Sequence, residues 1–344
     1  MTVFPHVQMT VVLAQIPYER YNEEKLFSER RKGKICAMIS ILLMEKIAEL
    51  FLMMLLGFVI VRAGVLRSGD SVVLSKICLY LVMPCVIVHA FQVDFKKEVQ
   101  VGLLLAFAAA LVIHVLLMIL CVVLRKTFAM TEVEVASVIY SNAGNLIIPI
   151  VTGVLGQEWV IYSSAFLSVQ LVFVWTHGKL LFSGEKKPQL RKILLNPNMI
   201  AVYVGFFLLF SGLRFPAVLD NTISSVGNMV GPVSMMITGM LVAGMPFRQL
   251  FAHKRIYLVV FLRMVFCPAM VLVLIKLSHA AALIPDGKQV LLITLLATMT
   301  PAASTITQFA QLYQKDAEYA GAINIFTTLV CIVTMPAFVG LYMM

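Results

Sequence analysis

Long stretches without a single Asp, Glu, Lys or Arg recur along this chain: Val99–Leu124, Val135–Gln157, Trp159–Gly178, Ile193–Leu213, Asn221–Phe247, Gln289–Gln314 and Tyr319–Met344. Each lasts 20 to 27 residues, and a helix of about 20 residues crosses a hydrocarbon core. Three further apolar stretches carry isolated charges: Ile39–Val61 with Glu45, Lys46 and Glu49, Val72–Phe91 with Lys76, and Ile256–Ile275 with Arg263. The pattern predicts ten transmembrane helices.

Composition agrees with the pattern. Hydrophobic residues make up 61% of the 344 positions and charged residues 13%, against about 45–50% and about 25% in soluble domains. A mean hydropathy of +0.96 exceeds what a buried core alone supplies, which excludes a soluble enzyme, a disordered regulator and a fibrous protein. The six cysteines lie mostly inside apolar runs and have neither metal-ligand nor disulfide spacing. No metal site, cofactor or catalytic residue is expected, and no Gly-rich nucleotide motif is present.

The net charge of +10 points to membrane topology rather than to nucleic acid, because the basic residues fall between the apolar stretches. Connections after odd-numbered segments hold Arg62, Arg67, Arg125, Lys126, Lys179, Lys186, Lys187, Arg191, Lys192, Arg248, Lys254, Arg255 and Lys315, whereas the other side holds Lys96, Lys97, Arg214, Lys276 and Lys288. Thirteen against five places the first side in the cytoplasm. Both termini are then outside and the basic loop 183–196 is cytoplasmic. Six basic residues between Arg20 and Lys34 run against this assignment. Residues 1–37 are set apart as an N-terminal tail with two readings: it lies outside or pulls the first segment into another orientation, or translation starts at Met38 or Met44 and the tail is not made.

Five helices on each side of the central loop give an odd number per half, so residues 38–182 and 197–344 are expected to be inverted repeats, an architecture suited to alternating access. Short echoes support the division: Leu81-Val-Met-Pro84-Cys beside Met229-Val-Gly-Pro232-Val, and two polar, proline-containing interruptions. Segment 4 carries Tyr140-Ser-Asn-Ala-Gly-Asn-Leu-Ile-Ile-Pro149, and segment 9 carries Ala297-Thr-Met-Thr-Pro301-Ala-Ala-Ser-Thr305. Proline removes a helical hydrogen bond and crowds the preceding turn, while bare backbone at membrane depth is tolerated only against protein or a watery cavity. The fold expected is therefore an all-α polytopic membrane protein with proline-broken crossing helices 4 and 9. Helix N-termini exposed at the breaks favour an anion.

These features resemble the auxin efflux carrier family, which includes bacterial malonate-type permeases. The resemblance rests on Phe51–Leu66, Leu79-Tyr-Leu-Val-Met-Pro84 and Asn142-Ala-Gly-Asn145-Leu-Ile-Ile-Pro149, and covers Met44 to the C-terminus. It implies two inverted five-helix repeats, crossings at the two proline sites, and transport of organic anions. The short central loop departs from the long hydrophilic insert of some plant members.

Asn142, Asn145, Thr300, Ser304 and Thr305 are the candidate substrate-binding residues, with Gly144, Pro149 and Pro301 shaping the crossings. Arg263 is the costliest intramembrane residue; it requires a substrate carboxylate, backbone carbonyls at a break, or an acid as partner. His89, Gln170 and Asn324 are candidate charge or route residues. The function expected is a secondary transporter of a small mono- or dicarboxylate in the plasma membrane. Its partners are that anion and the bilayer, and coupling to protons or sodium and a homodimer are compatible with it. The alternatives are a carrier for an amino acid or neutral metabolite, a non-transporting sensor, and a passive pore.

Overall fold

The computed structural model describes residues 29–92, 97–184, 191, 194–195, 197–244 and 253–344. Among the described residues every regular element is a helix, and the one extended pairing is an isolated antiparallel bridge between Ser141 and Ala302. Helix α1 (Glu29–Arg62) begins upstream of the expected Ile39, so residues 29–37 of the expected tail belong to it. Residues 1–28 and most of the basic loop 183–196 lie outside the described residues.

The second apolar segment divides into α2 (Ser71–Ile77), a π turn at Cys78–Val82 and α3 (Met83–Ala90). Segment 8 repeats the arrangement: α12 (Arg255–Phe261), a π turn at Leu262–Phe266, then α13 (Cys267–Ser278). Pro84 and Pro268 stand just past these turns. A ring without an N–H crowds the carbonyl one turn back, and a widened turn relieves that clash.

Between these come α4 (Lys97–Phe128), α5 (Glu132–Ile139), α6 (Ala143–Val154), and α7 (Val160–Phe173), which continues through a π turn at Val174–Gly178 into α8 (Lys179–Ser183). Gly184, at φ 65°, ends α8 in the left-handed conformation that glycine adopts without strain. Then follow α9 (Pro197–Ser211), α10 (Ala217–Gly227) and α11 (Val230–Gly244). After α13 come α14 (Gly287–Met299), α15 (Ser304–Leu312) and α16 (Ala317–Met343), with Pro336 inside the last.

Six of the ten expected segments are long and apolar enough to cross a membrane among the described residues: Ser68–His89, Gln100–Phe128, Val160–Ser183, Ala217–Gly244, Arg255–Ser278 and Ala317–Met343. The others fall short for separate reasons. α1 carries Glu45, Lys46 and Glu49, α9 has 15 residues, and segments 4 and 9 are each split into two short helices. Large apolar side chains face outward, with Phe210 and Val333 more than 70% exposed, as lipid contact requires.

The first and second halves of the chain meet most intimately along α1 and α11. A Cβ added to Gly57 would stand 2.1 Å from the Met236 carbonyl oxygen, and one on Gly239 would stand 1.9 Å from that of Met54. Two backbones thus touch where only hydrogen fits, the small-residue packing that membrane helices use in place of a hydrophobic drive.

Candidate functional site

The two helix breaks meet each other. α5 stops at Ile139, Tyr140 is extended at φ −95° and ψ 130°, and α6 starts at Ala143. α14 stops at Met299, Thr300 and Ala303 are extended, and α15 starts at Ser304. The peptide N–H of Asn142 donates to the Pro301 carbonyl at 2.8 Å, and that of Ala303 donates to Tyr140 at 3.0 Å. Each unwound stretch satisfies the other, which makes bare backbone affordable in an apolar setting. Pro301 suits its place because it has no N–H to leave unpaired.

Each extended residue at the bridge is also held by a side chain from the last segment of its own half. Gln170 accepts from the Ser141 N–H at 3.0 Å and from its hydroxyl at 2.6 Å, and donates to the Ser141 carbonyl at 2.8 Å. Asn324 donates to the Ala302 carbonyl at 2.7 Å, and Thr327 accepts from the Ala302 N–H at 3.1 Å. Gln170 and Asn324, expected along the route, act here as splints for the crossing. The Tyr140 hydroxyl adds a bond to the Phe173 carbonyl at 2.9 Å.

Arg263 is fully buried beneath the crossing. Its guanidinium donates to Val138 at 3.0 Å, to Thr298 at 2.8 Å, and to Thr300 at 2.9 Å and 3.3 Å, all backbone carbonyls. These are the unpaired carbonyls at the C-terminal ends of α5 and α14, the negative poles of both half-helices. Of the three partners weighed from the sequence, backbone carbonyls at a break are the ones found.

On the other side of the crossing lie the N-termini of α6 and α15. The Ser304 hydroxyl donates to the Asn142 side-chain oxygen at 3.3 Å, joining the halves through two of the expected residues. Both are buried. Thr305 is half-buried in the first turn of α15. Thr300, at the end of α14, turns its hydroxyl back to the Ala297 carbonyl at 2.9 Å.

Two expectations about segment 4 change. Pro149 lies inside α6 rather than at the break, which falls earlier, at residues 140–142. Gly144 is helical as well, and an added Cβ would meet only Leu167 at an ordinary 3.9 Å. The break is placed by pairing with the extended residues of the second break and by Gln170, not by the proline. The side chains of Asn145 and Pro149 lie outside the described residues. His89 is away from the crossing: it is exposed and faces Asp220 at 3.5 Å.

A second polar assembly, missed in the sequence, ties the halves at the start of α5. Glu134 is buried, yet both its oxygens are occupied. Arg255 donates to them at 2.7 Å and 2.9 Å, the Tyr319 hydroxyl at 2.9 Å and the Thr131 N–H at 2.8 Å. Burial pushes the Glu134 carboxyl up, but the hydrogen bonds from Arg255, Thr131 and Tyr319 outweigh it and hold it below the usual carboxylate range. A cleft of about 290 Å³ opens beside it, between Glu132, His253, Lys315 and Asp316. The capping box Thr131-x-x-Glu134 was visible in the sequence; the partners from α12 and α16 were not.

The family model for membrane transport proteins matches residues 42–190 and 186–339. No curated protein matches the chain.

Proposed function

The chain belongs to the membrane transport protein family, the auxin efflux carrier group, and we propose that it is a secondary carrier for a small organic anion, a mono- or dicarboxylate. The observation that carries this reading is the buried crossing, where Asn142 and Ser304 from opposite halves meet beside the starts of α6 and α15. N–H groups at two helix starts, the Asn142 amide and a Ser304 hydroxyl able to turn from Asn142 to a ligand form a neutral donor set suited to a carboxylate. Asn145 and Thr305, in the same first turns, belong to the proposed site.

In this reading the ten apolar segments form two inverted five-helix repeats, and alternating access comes from movement of one half against the other about the crossing. The excess of Lys and Arg after odd-numbered segments supports a cytoplasmic central loop and outward termini. The chain carries no nucleotide motif, so its energy comes from a gradient of the substrate or of protons or sodium.

Flux into proteoliposomes holding the full chain tests the reading. Monocarboxylates, dicarboxylates and amino acids are offered with and without imposed proton and sodium gradients. A carboxylate should move, and Asn142→Ala should slow it. Movement of a neutral solute with every carboxylate excluded refutes the proposal.

A further inference from the structure

One face of α15 is polar along its whole length: Ser304, Gln308 and Gln311 recur at spacings of four and three residues, so they align. A matching stripe on α2 and its π turn, Ser71, Ser75 and Cys78, faces it from the first half. Gln311 accepts from Ser75 at 2.5 Å and donates to Ser71, at the loop end of the stripe. One turn nearer the crossing, the Gln308 amide donates to Ser234 of α11 at 2.8 Å and to the Cys78 sulfur at 3.3 Å.

Gln308 is fully buried, and its carbonyl oxygen has no hydrogen-bond partner among the described residues. Turning the amide over would only exchange the end left unpaired, because Ser234 and Cys78 can donate as well as accept. An unpaired amide end in a dry interior is costly, and native proteins keep few such groups without a use. Cys78 opens a π turn, a feature frequent at functional sites. Ser71, Ser75, Cys78, Ser234, Gln308 and Gln311 include no acid and no base.

We propose that Gln308, Ser234 and Cys78 form a subsite for an uncharged polar group of the substrate, a hydroxyl, carbonyl or amide carried beside the carboxylate held at the crossing. The inference rests on the carboxylate reading above. Four residues of helix place the subsite about 6 Å from Ser304, three to four bonds along a substrate. A second carboxylate would find no cation there to offset its desolvation. The substrate class is thus a short monocarboxylate with a neutral polar end, and dicarboxylates are disfavoured.

Equilibrium binding to the full chain in detergent tests this, with pentanoate, 4-hydroxybutanoate, succinamate and succinate as probes. The two neutral-ended polar acids should bind about 3- to 10-fold tighter than pentanoate, the gain of one or two net hydrogen bonds. Succinate should bind more weakly than succinamate. Gln308→Met should erase the preference for a polar end over pentanoate; Ser234→Ala, a smaller change, should reduce it and serves if the first variant does not fold. Equal binding of pentanoate and 4-hydroxybutanoate, or preference for succinate, overturns the subsite alone. Binding of none of the four overturns the carboxylate reading and the subsite together.

Discussion

Replacing Arg263 by methionine should unfasten the crossing. The side chain keeps an unbranched stem but is shorter and loses every donor, leaving the carbonyls of Val138, Thr298 and Thr300 unpaired in the interior. An orphaned buried carbonyl costs about 1–3 kcal/mol, so three cost about 3–9 kcal/mol before relaxation. The variant also escapes the several kcal/mol of desolvation that a buried cation carries, which offsets part of the loss. A net destabilisation of about 2–5 kcal/mol remains. Arg263→Lys should fall between, since a single ammonium cannot reach two helix ends as a planar fork does. Denaturant titration of the purified chain in detergent reads the stability. Amide hydrogen exchange reads the place: Asn142 and Ala303, whose N–H groups close the bridge, should exchange faster in the methionine variant. A wild-type midpoint with unchanged exchange at those two amides would refute the argument that Arg263 holds the breaks in place.

Two other outcomes follow from the contacts between halves. Because the folded Glu134 carboxyl lies below its ordinary value of 4.5, the stability it contributes is full above that value and is lost as pH falls through the lower, folded one. The faces packed on it bring Arg255, Tyr319 and, through a tilted ring contact with Tyr319, His253. Glu134→Gln should therefore flatten the acid limb of a stability-against-pH curve; an unchanged limb would show the carboxylate uninvolved. Gly239→Ala should force α1 and α11 apart at the Met54 carbonyl and cost at least about 1–3 kcal/mol, read as a lower thermal midpoint. Gly321→Ala, whose added carbon meets nothing closer than 3.7 Å, is the matched control, and equal midpoints for the two would discount the close approach.

The apolar runs of 20 residues and more, the scarcity of charge and the two polar interruptions are properties of the chain read in order, and they determine a helical membrane protein broken at segments 4 and 9. Burial in lipid leaves helices as the only economical state for such runs, so no tertiary contact is needed to foresee them. The exact site of the first break was not legible. Pro149 marks the segment as breakable, but the helix opens at residues 140–142, where Pro301, Ala303 and Gln170 supply partners from distant sequence. The same reason hid the roles of Gln170 and Asn324 as splints, and hid Glu134, whose charge is tolerable only because Arg255 and Tyr319 arrive from the other half. Sequence alone showed that Arg263 needed compensation; only the folded chain decided that two helix ends provide it, because a helix end becomes a partner only after the breaks have been brought together.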